Sequence, residues 1–524
     1  MKNFLKNLTN TLNEEANISV TENGALGYRS SGKNLLDLNF KVSSYRNATV
    51  KEITDDFYKA FWDNRLLALK WLFFARDIRG GLGERRLFRI IFEDLAHYHE
   101  PKYILKAIPL IAEYGRYDDL FVILDKRYIG HTRRHAVLNY LRETFFKDLQ
   151  DMEHGRPVTL LAKWLPSCNA SSAKTKKLAE IIRKSFRLGE KDYRKKLSAL
   201  RKYIDVTEVK TCANNWGEID YKKVPSKANL LYGRAFLKHD KARREAFLNK
   251  VLQGEEKINS SVLYPHDIVS KYMAGSYGHT KDYDKNLEAL WQGLSENFTL
   301  GDKAKSTIVV ADGSGSMYTP VSADSGATAL DVANALAIYF AQGLEGEFKN
   351  KYITFSERPQ LVDLNKGGNL KEKIQIALTH DECANTNIEA VFDLILTTAV
   401  NNKLKQEDLP ANILIISDME FDYAAEGPAD ERLFTTLAKR YGAAGYKLPQ
   451  LIFWNVCGRS GTIPLKENAN GLVLVSGFSP NIAKMIMDNE LDPYKCLVNI
   501  LEGPRYDKVH NAFCRKKSLR PVRD

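Results

Sequence analysis

Asp312, Ser314 and Ser316 stand at alternate positions in the stretch STIVVADGSGSMYTP, residues 306–320, directly after a β-branched apolar run. A strand that ends in a carboxylate and two hydroxyls offers three hard oxygen donors from one tight turn. Gly313 and Gly315 are expected to let the backbone bend between them. Two familiar alternatives do not fit. A phosphate loop needs GxxxxGK[ST], and no lysine stands here; a nucleophile elbow needs GxSxG, but the residue two before Ser314 is Asp312. Hard divalent cations take oxygen shells of this kind and keep positions for water or for a partner's oxygen. A compact, hydroxyl-rich shell suits the smaller ions, Mg²⁺ first, with Mn²⁺ and Ca²⁺ as alternatives.

Two later segments carry further oxygen donors. In CANTNIEAVFDLIL, Thr386 comes just before a helical pattern, and in ILIISDMEFD, Asp418 directly follows a strand-like run. Taken singly, Thr386 with Glu389 also reads as a capping box, and Asp418 as the cap of a following helix. Together with Asp-x-Ser-x-Ser they resemble, in the same chain order, the metal-ion-dependent adhesion site (MIDAS) of von Willebrand factor A domains. That resemblance implies metal binding by Asp312, Ser314, Ser316, Thr386 and Asp418. It also implies a divalent cation that keeps one position for a partner's carboxylate or other anionic oxygen. His380 and Cys383 are the only histidine, lysine or cysteine within a few residues of the three loops. His380 reads as a surface-loop residue, so no catalytic residue is expected and the chain is expected to bind rather than to act as an enzyme.

The elements that must position these groups follow from periodicity. After about residue 300, STIVVAD, KNKYITF, NILIIS, LIFWNV and GLVLVS are short β-rich runs. Several are separated by helical segments such as TALDVANALAIYFAQGL and NIEAVFDLILTTAV. Such alternation predicts an open, largely parallel sheet covered on both faces, a doubly wound α/β domain with ligands outside the carboxyl ends of the strands. From Thr54 the texture is helical instead. DDFYKAFWDNRLLALKWLFFARD carries an apolar stripe at three-to-four spacing, IRGGLGE breaks it, and helical segments follow for about 200 residues without strand-like alternation. The expected order is an N-terminal extension (1–50) with a hairpin-like segment around Gly24 to Lys41, a helical solenoid or ring (51–299), and an α/β domain with a C-terminal extension (300–524).

Charge is unevenly distributed. The chain is +12 overall, yet residues 161–250 hold 23 Lys/Arg against 9 Asp/Glu, so the remainder is close to neutral. Phe186, Tyr193, Tyr203, Trp216, Tyr221 and Tyr232 alternate with these bases. Ordinary solvated helices mix signs, so this concentration points to a polyanion. The RNA-binding candidates are Lys174, Lys176, Lys177, Arg183, Lys184, Arg187, Arg194, Lys195, Lys196, Arg201 and Lys202. Tyr193, Tyr203 and Trp216 are candidates for stacking on unpaired bases, although Trp216 reads first as core packing. Recognition through many phosphates would follow shape and salt rather than base sequence, and would suit structured RNA or single-stranded ends. Arg76, Arg79, Arg85, Arg86 and Arg89 form a second cluster, and Arg116 beside Asp118 and Asp119 reads as a structural ion pair.

The stretches LFFARDIRGGLGERRLF and IAEYGRYDDLF, in a helical region followed by an A-like domain, resemble the TROVE module of the Ro autoantigen family. A closer likeness, carried by LAKWLPS, CANNWGEIDYKKVPSKANLLYGRAFLKHD and INSSVLYPHDIV, is to a largely uncharacterised group of two-part proteins in eukaryotes, large viruses and phages. The resemblance implies a ring of HEAT-like helix pairs, a ribonucleoprotein role, and oligomers in some relatives. It leaves a protein partner donating a carboxylate to the metal site as the alternative to RNA. The six cysteines are far apart, without a CxxC pair, and read as free buried thiols. The longest uncharged apolar segment, Val332 to Leu344, is too short to span a bilayer, and no secretory leader is evident, so a cytoplasmic location without membrane contact is expected.

Overall fold

The apolar runs after residue 300 are strands of one sheet. β3 (Thr307–Asp312), β4 (Lys351–Phe355), β5 (Gln360–Asp363), β6 (Asn412–Ser417), β7 (Gln450–Asn455) and β8 (Leu472–Ser476) lie in the order β5-β4-β3-β6-β7-β8 in a computed structural model. The structure describes the chain apart from residues 1–7, 10, 13–14, 127, 274–279, 297–300, 324, 356–357, 381–386, 423–432, 467, 469, 484, 486–489 and 515–524. All neighbouring pairs in the sheet are parallel except β4 with β5. Every residue of β3, β6, β7 and β8 is buried, as expected of parallel strands covered on both faces. β5 is the exception. This short antiparallel edge strand leaves Leu361 exposed, and no apolar run announces it.

The helix Ala329–Gly343 covers β3 and β6 and is buried almost all round. A capping box starts it: Asp331 N–H donates to Thr328 Oγ1 (3.1 Å), and Thr328 N–H donates back to an Asp331 carboxylate oxygen (2.8 Å). The helix Pro265–Met273 packs on its outside. A helical region followed by a mixed sheet with flanking helices is thus the architecture of the chain.

The chain divides into two compact units that alternate along the sequence. One takes residues 1–63, 225–233 and 246–500; the other takes 64–224, 234–245 and 501–524. In the first, the N-terminal hairpin is formed by β1 (Ile18–Val20) and β2 (Leu26–Tyr28), ahead of the segment expected, and Asn34–Phe40 is a helix. Tyr28 exchanges backbone hydrogen bonds with Ile463, which ties the hairpin to the sheet-bearing unit.

The second unit is helical. The long apolar stripe from residue 55 is two helices: Val50–Asp63 closes the first segment of the other unit, and Arg65–Arg76 opens this one, capped by the Asn64 side chain, which accepts from Leu67 N–H (3.1 Å). The glycine break has a steric cause: a Cβ on Gly81 would lie 2.0 Å from the Phe74 carbonyl oxygen, and Gly83 has φ of +73°. The helix Arg85–Tyr98 follows, then the 23-residue helix His131–Glu153, against which Ala173–Ser185 and Glu190–Tyr203 pack. The C-terminal segment belongs to this unit as well. Arg505 Nη2 donates to Asp77 (2.8 Å), and Tyr506 stacks on Tyr114.

Candidate functional site

The chain runs from β3 outward to β4 and returns to β6 on the other side of β3, so the carboxyl ends of β3 and β6 border the crevice where open α/β sheets bind ligands. Asp312 ends β3, and Asp418 directly follows β6. Both carboxylates are buried. One Asp312 oxygen accepts the backbone N–H of Ser314 (3.0 Å), and the other accepts the Ser417 hydroxyl (2.6 Å). The Ser314 and Ser316 hydroxyls are 3.1 Å apart, and Ser316 hydrogen-bonds Asp418. Four of the five expected metal ligands therefore meet in one place. Thr386 and Cys383 lie outside the described residues. Neither Gly313 nor Gly315 has positive φ; the turn is made by extended Ser314 and a 3₁₀ turn over Gly315–Tyr318 that buries Met317. His380 hydrogen-bonds Gln360 (2.7 Å).

The two carboxylates share a buried, acidic environment. Burial, then the neighbouring Asp418 charge, pushes the Asp312 carboxyl well above the ordinary carboxylate range, and burial raises Asp418 too. Arg459, which no local pattern places here, answers part of that charge. Its Nη1 donates to Asp418 (3.0 Å), and its Nε donates to Glu22 (2.8 Å). Buried Glu420 accepts backbone N–H groups from Glu22 (2.9 Å), Arg459 (2.9 Å) and Ser460 (2.8 Å). Met419 between the two acids has φ of +65°, a conformation that side chains rarely adopt. The turn of the N-terminal hairpin completes the wall: Thr21 Oγ1 donates to the Phe421 carbonyl (2.7 Å). Ser417, Glu420, Arg459 and Glu22 were thus missed from sequence. The only local signal was the Ser-Asp pair closing β6.

The donor set suits a hard divalent cation: two carboxylates and two hydroxyls, with Arg459 on one carboxylate oxygen. Among the described residues there is no group of three or more His, Cys, Asp or Glu side chains that could hold a metal, so any such site depends on the hydroxyls.

The basic segment resolves into three kinds of residue. Lys176, Lys177, Arg187, Arg194, Lys195 and Lys202 are exposed on or beside the helices Ala173–Ser185 and Glu190–Tyr203, without ion pairs among the described residues; Lys196 is half-buried. Lys174 pairs with Asp125 (2.8 Å), Lys184 with Glu180 (2.8 Å), and Arg183 donates to the Leu188 carbonyl (2.8 Å). Arg201 is a structural clamp, donating to the carbonyls of Ala162 (2.9 Å) and Leu165 (2.7 Å) and to the Ser167 hydroxyl (2.9 Å). Tyr193 is also structural. It is buried against Phe145 and Phe186 with its hydroxyl on the Pro166 carbonyl, so it offers no face to a base. Tyr203 is exposed, and Trp216 stacks on His239 at 4.4 Å. No helix among the described residues is long and apolar enough to cross a membrane.

Fold and site define a two-part chain, a helical region with a basic face and an α/β sheet with an acidic, hydroxyl-bearing crevice. The chain belongs to the family described as a domain of unknown function, DUF2828, which matches residues 21–150 and 134–298. A second domain of unknown function, DUF7788, matches residues 306–508, the sheet and its crevice. The chain is similar to the uncharacterized protein L728 of Acanthamoeba polyphaga mimivirus, 28% identical over 518 residues that cover 93% of this chain and 88% of that protein.

Proposed function

We propose that this protein is an RNA-binding ribonucleoprotein scaffold, in which the basic helices of residues 173–203 take up phosphates and the crevice between β3 and β6 holds a divalent cation. The observation that carries the proposal is the set of six exposed cations, Lys176, Lys177, Arg187, Arg194, Lys195 and Lys202, on two consecutive helices and the turn between them. The likeness to the TROVE module agrees with this reading, as does the likeness of the crevice to an adhesion-type A domain. Binding is led by charge and shape, without a base code, and Tyr203 is the aromatic available to stack. Asp312, Ser314, Ser316 and Asp418, with Thr386 as the resemblance implies, would hold the cation, Mg²⁺ first. It supplies a Lewis-acidic position for an anionic oxygen of a partner. A binding role without catalysis and a cytoplasmic location belong to the same proposal.

The test is a low-salt mobility shift of the full chain with a single-stranded RNA, repeated over a range of salt. Six phosphate contacts correspond to a slope of about −4 in log affinity against log salt. The double variant Lys195→Ala, Lys202→Ala should be shallower by about 1.4, at about 0.7 per contact. Absence of any retarded RNA at low salt refutes the RNA reading.

The crevice favours a second reading, a protein-interaction scaffold that grips a partner's carboxylate through the cation. Loss of a protein partner on Asp312→Ala, with RNA binding unchanged in the same variant, would support it.

A further inference from the structure

The helical unit contains a charge cluster that is separate from the basic helices and out of balance. Buried Asp119 accepts from Arg76 Nε (2.8 Å), from Arg89 Nε (2.6 Å) and from the backbone N–H of Arg116 (2.9 Å). Asp118 accepts from Arg89 Nη2 (2.7 Å) and Arg116 Nε (2.8 Å), while the Arg116 guanidinium lies 3.9 Å over the Trp164 ring. Both carboxylates are therefore engaged by several donors. Arg85 stands four residues before Arg89 on the same helix, which puts the two side chains on one face. It has no ion pair among the described residues, and part of its surface is open to solvent while the rest lies against the cluster. Its guanidinium is pushed below its ordinary range by burial and then by Arg116 and Arg89, with Arg76 adding to the effect. Among these six groups, four guanidinium ions face two carboxylates.

The cluster is also fixed in place. A Cβ on Gly115 would come within 2.7 Å of an Asp119 oxygen, so the chain passes close behind the acid. The Trp164 face holds the Arg116 plane, and Asp118 and Asp119 fix Arg89 from two sides. Arg89 and Arg116 remain partly open to solvent, at 26% and 33% of their side-chain surface. Arg89 and Arg116 each already give Nε and Nη2 to Asp118 or Asp119, so the donors left over are their Nη1 groups and the whole Arg85 fork, which with an excess of two positive charges suit the charge-assisted hydrogen bonds of a tetrahedral dianion.

We propose that Arg85, Arg89 and Arg116 form a recognition site for a phosphate monoester dianion. The site stands independently of the RNA face, because none of its residues lies in the helices of residues 173–203. The dianion has two sources, the terminal phosphate of a nucleic-acid strand or a free or small-molecule phosphate.

Calorimetric titration of the full chain, at constant chloride, would use inorganic phosphate and two short RNA strands of one sequence with a 5′-phosphate or a 5′-hydroxyl. Wild type should bind inorganic phosphate, and Arg85→Gln should weaken it about tenfold or more, since the lost contacts are charge-assisted. Lys202→Ala should leave it unchanged, which separates this site from the RNA face. A preference for the 5′-phosphate strand that Arg85→Gln abolishes identifies a strand terminus as the ligand; equal binding of both strands identifies the free phosphate. Arg85→Lys retains the charge without the fork and should recover affinity only in part. The proposal is overturned if wild type binds neither inorganic phosphate nor the 5′-phosphate strand preferentially, if Arg85→Gln binds as wild type does, or if Arg85→Lys restores binding fully.

Discussion

The crevice of the sheet and the arginine cluster of the helical unit are built from the same side chains with opposite imbalance. At the crevice, Asp312, Asp418 and Glu420 are buried together, and Arg459 is the guanidinium paired with Asp418. In the helical unit, Arg76, Arg85, Arg89 and Arg116 gather around Asp118 and Asp119. A buried charge is tolerated when it is paired and hydrogen-bonded, so what each site lacks indicates what it can take up. Among the described residues the crevice is short of positive charge and holds oxygen donors, whereas the cluster is short of negative charge and holds guanidinium donors. On the proposed reading, one would take a cation and the other an oxyanion.

The largest effect expected from breaking this comparison is at Asp119. Asp119→Ala leaves Arg76 buried without its acceptor and should destabilise the helical unit by about 3–5 kcal/mol, read as a lowered denaturation midpoint. Arg459→Gln acts in the opposite sense at the crevice. It removes the competing cation from Asp418 and should tighten Mn²⁺ binding by roughly tenfold, the equivalent of about 1.4 kcal/mol, in a direct titration. Unchanged or weaker binding would mean that Arg459 organises the site rather than competes for it. Ser417→Ala removes the hydroxyl that donates to Asp312 and should destabilise by about 1 kcal/mol in chemical denaturation.

The smallest effect concerns acid. Burial alone would raise Asp118, but Arg116 and Arg89 outweigh it and hold the carboxyl below its ordinary value. A carboxyl that is harder to protonate in the folded state than in the unfolded one stabilises the fold above its unfolded pKa, about 3.9, and loses that contribution as pH falls through its lower folded value. The stability of the wild type should therefore fall in that acid window, and that of Asp118→Asn should fall less.

The two sites also differ in how far the sequence disclosed them. Asp312, Ser314 and Ser316 were legible because they are close neighbours after a β-branched run, and Asp418 because it directly follows another strand. Arg459 and Glu22 were not, since a salt bridge spanning hundreds of residues leaves no local pattern. The hydroxyl of Ser417 points to Asp312, but as the last residue of an apolar strand it looked like ordinary strand sequence. Among the bases, composition located the face but could not distinguish Lys202, which is exposed, from Arg201 beside it, which clamps three backbone and side-chain oxygens. Tyr193 departs from the stacking expectation for a similar reason: helical spacing puts it on the buried face with Leu197 and Leu200, away from the bases. The strands β3, β4, β6, β7 and β8 were legible as apolar runs. The alternation of the two compact units along the chain was not, because it is set by contacts between segments far apart in sequence.

The crevice is tested most directly by titrating Mn²⁺ into the full chain and into Asp312→Asn, following bound Mn²⁺ by electron paramagnetic resonance. Asparagine keeps the shape and removes the charge. Wild type should bind one ion per chain, displaced by Mg²⁺, and the variant none. Equal binding by both proteins, or none by either, would rule out a cation site at the crevice.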